Sequence, residues 1–120
     1  MQFGGWEGLT WDEIVARTPG LAEAQRTSPR FYIPDGGEGF DAVCARIAPV
    51  LAEVTARLGP DGRALVVSHA GVMHALLRVA LDVPDESALG ITFIPAGVMR
   101  LTGDGRVPWT LARVNESVAP

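Results

Sequence analysis

Residues 63–73, Arg-Ala-Leu-Val-Val-Ser-His-Ala-Gly-Val-Met, carry a short apolar run to Ser68-His69 and turn through Ala70-Gly71 into a Leu-rich helical pattern. An imidazole at the carboxyl end of a strand can donate to an anionic oxygen. The unused backbone N–H groups at the start of the following helix, Ala70 first, favour negative charge at the same point. In open α/β sheets the ligand crevice lies outside the carboxyl ends of the strands. His69 and Ala70 are therefore placed to touch a phosphate, although a lone histidine there can equally serve a nearby carbonyl. Other chemistry is less well supported. Ser68 and His69 are sequence neighbours that cannot both turn inward, and no Gly-x-Ser-x-Gly elbow is present, which sets aside a serine hydrolase. His74 lies five residues beyond His69, across a strand-to-helix change, and so lacks the i,i+4 spacing of a helical metal site. A half-buried or surface His74 is expected, with no metal and no cofactor.

The elements that must hold this corner can be read from periodicity and punctuation. Thr10-Trp11-Asp12-Glu13 forms a capping box that starts a helix, which Thr18-Pro19-Gly20 stops. From residue 21 to 39, prolines and glycines indicate a loop with one helical turn near residues 21–26. Phe40, Val43, Cys44, Ile47, Leu51, Val54 and Leu58 recur at three- and four-residue steps, the stripe of an amphipathic helix that Pro49 should kink or split. Residues 59–62 turn into a strand at 64–68, and a helix follows from about 71 to 81. After a loop at 82–87, β-prone segments stand at 91–94, 98–102 and 107–114, with Gly103-Asp104-Gly105 as a hairpin turn. There is no internal repeat or linker. The expected organisation is one domain over 1–120, helical and looped over 1–62, then an α/β unit and strand-rich tail over 63–120.

Composition bounds the setting. At 120 residues with 48% hydrophobic and 20% charged residues, the chain has the size of one domain with a real core. Its single cysteine, Cys44, allows no internal disulfide and sits on the apolar stripe, so a buried thiol in a reducing, cytoplasmic compartment is expected. No apolar run approaches the ~18 residues of a bilayer span, and no leader opens the chain, so no membrane contact is expected. A net charge of −4 argues against a broad nucleic-acid footprint.

Three stretches, one of them the His69 segment itself, sharpen the phosphate reading. Phe3-Gly4-Gly5-Trp6-Glu7-Gly8-Leu9-Thr10 resembles the Phe-Gly-x-Trp-Glu-Gly-Leu-Thr signature of the histidine phosphatase superfamily, which includes phosphoglycerate mutases and broad-specificity phosphatases. Pro34-Asp35-Gly36-Gly37-Glu38, with Arg46 downstream, is similar to that family's Gly-Gly-Glu-Ser stretch, with Gly39 where Ser is usual. Val66-Val67-Ser68-His69-Ala70-Gly71 resembles its second histidine motif, and residues 98–101 and 109–115 its closing strands.

The resemblance implies a three-layer phosphoglycerate mutase-like fold, a mostly parallel sheet flanked by helices, here incomplete. It also implies phosphoryl transfer from a small phosphomonoester through a phosphohistidine, with His69 and the Ala70 N–H holding phosphoryl oxygens. Phe3, Trp6 and Glu7 would stand at the pocket rim, although aromatic packing and a Glu7 carboxylate that fixes its own turn explain them as well. Glu38 and Arg46 are expected to pair structurally. The family's nucleophile lies in an Arg-His-Gly motif on the first strand, beside the strand that ends at His69, and a second phosphate-binding arginine lies further along. Neither has a counterpart in this sequence. The family's general-acid glutamate stands three residues before the Phe of Phe-Gly, which for Phe3 falls one residue before Met1. The chain is thus expected to be the carboxyl-terminal part of a histidine phosphatase, with a Glu codon directly before that of Met1. By itself it is expected to be inactive and to expose a sheet edge through which copies could associate. The alternatives are a noncatalytic interaction module and a phosphate-ligand binder.

Overall fold

The computed structural model describes residues 2–21, 23–24, 36–59 and 61–117. A 3-10 turn at Gly4–Trp6 leads into helix α1, Trp11–Arg17. The capping box is present: the Thr10 hydroxyl accepts from the Glu13 N–H at 3.4 Å, and the Glu13 carboxylate accepts from the Thr10 N–H at 2.8 Å. Pro19 disfavours helical backbone at Thr18, and Gly20 follows at φ 82°, so the helix stops where expected. Of the turn expected near 21–26, Glu23 and Ala24 both donate to the Gly20 carbonyl. Residues 22 and 25–35, including Pro29, Pro34 and Asp35, lie outside the described residues.

Helix α2, Phe40–Arg57, buries the predicted stripe: Phe40, Val43, Cys44 and Ile47 are buried, and Leu51, Val54 and Leu58 half-buried. Pro49 does not split it. Pro49 cannot donate to the Ala45 carbonyl, but both residues lie on the exposed face, where water can take that carbonyl. Helix α3, Ala70–Leu81, packs on α2 through Ala75, Val72, Leu76 and Val79, joined by Leu89. Leu77 and Val43 are the largest side chains fully removed from water, each worth roughly 1.5–3 kcal/mol of burial. Burial also pushes the Cys44 thiol pKa up, as a structural cysteine requires.

The tail departs from the reading in three places. Asp82, at φ 51°, ends α3, and a short helix α4, Asp85–Leu89, stands where a loop was expected. Residues 91–94 form no strand. Instead Asn115 reaches across with its side chain, accepting from the Ile94 N–H at 3.0 Å and donating to the Thr92 carbonyl at 2.7 Å, so one side chain supplies the bonds a strand partner would. The hairpin pairs β1, Gly97–Thr102, with β2, Thr110–Ser117, which begins three residues later than expected because the connection runs through residues 103–109. That longer loop is seated by Trp109, whose N–H donates to the Ala80 carbonyl of α3 at 2.6 Å. Its ring lies so close to Gly103 that a Cβ there would stand 2.6 Å away.

Among the described residues the sheet is this two-stranded antiparallel hairpin, with irregular register at Arg100. The expected mostly parallel sheet and three layers are not found among them. The apolar run 64–68 joins no sheet, and residues 61–70 are all exposed. The physical reason is that a strand, unlike a helix, cannot satisfy its backbone within itself, and no described segment lies beside this one to pair with it.

Candidate functional site

His69 occupies the N-cap of α3, with backbone angles φ −108° and ψ 158°. Its carbonyl accepts from the Val72 and Met73 N–H groups, both at 3.0 Å, which fixes where the helix starts. The imidazole makes no cap bond and no hydrogen bond to a described residue, and it stands in solvent. The Ala70 and Gly71 N–H groups likewise donate to no described residue. A helix leaves its first N–H groups without an internal partner, so the two amides and the ring N–H form a set of donors open to an anion. The amino end of α3 is anchored through Val72 and Ala75 on α2, so this corner rests on the packed part of the molecule.

The rim candidates make their hydrogen bonds to other described residues. Phe3 is 54% exposed, and its N–H donates to Glu7 Oε1 at 3.3 Å. Glu7 thus ties its own turn, which is the structural role weighed for it above. The Trp6 indole N–H donates to Thr18 Oγ1 at 3.2 Å and so locks the signature loop onto the end of α1. No hydrogen bond between described residues links Phe3, Trp6 or Glu7 to His69 or Ala70. The loop is instead tied to the start of α2, where the Glu38 N–H donates to the Gln2 carbonyl at 2.9 Å. Glu38 and Arg46 pair as expected, in a two-pronged bridge at 2.8 and 3.0 Å. The Arg46 guanidinium hydrogen-bonded to it brings the Glu38 carboxyl down to about 2.

His74 is half-buried: its Nε2 lies 2.7 Å from the Ile91 carbonyl, and its ring centroid 4.8 Å from that of Phe93. It holds the 91–94 segment against α3. Among the described residues no group of histidine, cysteine or carboxylate side chains could hold a metal ion. Two features escaped the sequence reading. Arg78 donates to Asp85 at 2.6 Å, a bridge in which the carboxylate is buried and which fastens α4 to α3. A seven-residue spacing across a helix break carries no periodic signal, although a carboxylate at the first position of a short helix is a recognisable cue. There is also an apolar cavity of about 260 Å³ lined by Leu51, Ala52, Val79, Val107 and Trp109, among others. Val79 lies nine residues along α3 from Ala70, roughly 14 Å at 1.5 Å per residue, so this cavity is not the His69 corner.

Residues 1–117 match the histidine phosphatase superfamily, branch 1. The chain belongs to this superfamily. Among curated proteins, it is 33% identical over 114 residues to a glucosyl-3-phosphoglycerate phosphatase of Mycobacterium tuberculosis, covering 89% of this chain and 46% of that protein. Over 83 residues it is 42% identical to a protein of the same organism named as bifunctional, covering 67% of this chain and 21% of the other. Over 78 residues it is 35% identical to a 6-phosphofructo-2-kinase/fructose-2,6-bisphosphatase of Caenorhabditis elegans, covering 65% of this chain and 16% of that one. The chain therefore spans less than half the length of these relatives. No solved structure matches it significantly. The mixed helix and strand content, with its small antiparallel hairpin, is consistent with an α/β histidine phosphatase domain. Among the described residues no helix is long and apolar enough to cross a membrane.

Proposed function

We propose that this histidine phosphatase chain supplies the phosphate-holding corner of a phosphomonoester-cleaving site, with His69 and the Ala70 N–H as its donors. The observation that carries the reading is the coincidence of the family's second histidine motif with donors left open at the start of α3. In a phosphoryl transfer these groups would take the non-bridging oxygens, where charge develops in the transition state. The attacking histidine of an Arg-His-Gly motif is not in this sequence. Residues 1–120 alone therefore bind phosphate without cleaving esters. Phosphatase-named relatives support a phosphorylated small molecule as ligand, and specificity lies outside the corner. A second reading, an interaction module, is favoured by the unpaired run 64–68.

The test is a phosphate titration followed by the His69 ring resonances, together with an aryl phosphate assay. Saturable shifts at His69 and Ala70, lost in His69→Ala, with hydrolysis at background, are the expected result. Turnover that vanishes in His69→Ala would make His69 a nucleophile and overturn the assignment, and the absence of any shift would remove the corner.

A further inference from the structure

The His74 ring is held on one side and left without a partner on the other. Its Nε2 lies 2.7 Å from the Ile91 carbonyl, which can only accept, so the hydrogen of the neutral ring is on Nε2. Nδ1 then carries a bare lone pair. That atom is fully covered and has no hydrogen-bond partner among the described residues. The cover is made by the described residues themselves, so no further segment could reach Nδ1 without displacing them. Phe93 packs on the same ring, its plane tilted by 56°. The bond to Ile91 matters for what hangs on it. Ile91 opens the segment 91–94, whose Thr92 carbonyl and Ile94 N–H are clasped by Asn115 of β2. The hairpin is thus tied to α3 near its loop, where the Trp109 N–H meets the Ala80 carbonyl, and again through this segment at His74.

We propose that His74 is a proton-operated latch: neutral, it pins the 91–94 segment to α3, and protonated, it releases that segment and the adjoining end of the hairpin. Histidine is the side chain whose charge ordinarily changes between about pH 5 and 8. A second ring proton has only Nδ1 to go to. There it becomes a covered donor without an acceptor, which costs at least as much as the bond to Ile91 contributes. The ring escapes by turning toward water, which its half-buried position allows, and the bond to Ile91 breaks. The latch is therefore closed at higher pH and opens as the pH falls. The surrounding charges do not reverse this. Arg78, one turn along α3 on the same face, is itself cationic, and Asp85 of α4 is engaged with it at 2.6 Å. Glu86 of α4 and Asp41 of α2 are exposed, and residues 91–94 carry no charged side chain. On β2, which also packs on α3, Arg113 is exposed and Glu116 lies 3.4 Å from Arg100. No carboxylate among the described residues is within hydrogen-bond reach of Nδ1.

Amide hydrogen exchange of the full chain at about pH 8 and about pH 5.5 reads the latch directly. After correction for the intrinsic exchange rate, the Ile94 N–H should lose about tenfold of its protection at the lower pH, while the Trp109 and Leu77 N–H groups keep theirs. A joint loss at all three would mean global unfolding and would overturn the latch. His74→Gln retains an amide that can donate to a carbonyl but takes up no proton, so its Ile94 protection should be the same at both pH values. Equal pH dependence in the variant and the wild type would assign the effect to another group and remove His74 from it. A second measurement needs no substitution. The ring nitrogen shifts of His74 should show the Nε2–H form at about pH 8, and protonation of Nδ1 should run in step with the loss of Ile94 protection. An Nδ1–H form at the higher pH, or a doubly protonated ring with Ile94 protection unchanged, would refute the proposal.

Discussion

The α2–α3 pair and the run 64–68 are built from the same residue types and meet opposite fates. Val43, Ile47, Ala75 and Leu77 are buried, whereas Leu65, Val66 and Val67 stand in water. Apolarity does not separate them. A helix closes its hydrogen bonds within itself and needs only one apolar neighbour for its stripe, which α2 and α3 give each other. A strand needs a neighbour for its backbone before burial of its side chains can count, and the described residues offer none. Hydrophobic sequence is thus a demand for a partner, and the backbone decides whether one is at hand.

The largest effect that could break this contrast is in the core. Leu77→Ala should destabilise the chain by about 2–5 kcal/mol in thermal or denaturant melts, because Leu77 is fully buried. At concentrations where the chain is monomeric, Val67→Ala should change stability by no more than about 0.5 kcal/mol. Equal effects would mean that the run is packed in solution. Next, Asp85→Ala should cost about 1–3 kcal/mol by removing the buried acceptor of Arg78, with α4 the first element to lose amide protection. An unchanged exchange pattern would show that α4 is held by Leu89 and Ala88 alone.

A smaller loss, about 1 kcal/mol, is expected for Thr10→Ala, which removes the capping oxygen of α1 and leaves the α2–α3 pair untouched. It should appear as fraying of residues 11–14 in hydrogen exchange, while Val43 and Leu77 stay protected. The smallest effect is a change in pH profile. The folded-state carboxyl of Glu38 is lowered from 4.5 to about 2, so its contribution is complete above about pH 4.5 and lost as the pH falls toward 2. Acid melts of Glu38→Gln should lack that part of the decline. A profile identical to the wild type would mean that the bridge to Arg46 does not persist in solution.

Much of the scaffold was legible along the chain because its signals are local. The Thr10 and Glu13 cap, the stop at Pro19-Gly20, the α2 stripe and the start of the helix after His69 each depend on residues within a turn or two of one another. The Glu38–Arg46 bridge was legible for a related reason: it crosses a single loop-to-helix junction. Of the candidate site, the position of His69 at a helix start was readable, as was a role for Glu7 in its own turn. Whether the rim residues meet His69 was not. Strand identity at 91–94 failed because a β-prone sequence can be satisfied by a side chain, and Asn115, more than twenty residues away, provides one.

Sequence alone determined the family motifs, the amphipathic faces and the helix boundaries, since each follows from short-range sterics, capping and the 3.6-residue period. The tertiary structure decided which apolar residues are covered. It joined Arg78 to Asp85, seated Trp109 on the end of α3 and left Leu65, Val66 and Val67 open. Those outcomes depend on what lies alongside in space, and burial and strand pairing are properties of two segments together, which no single segment encodes.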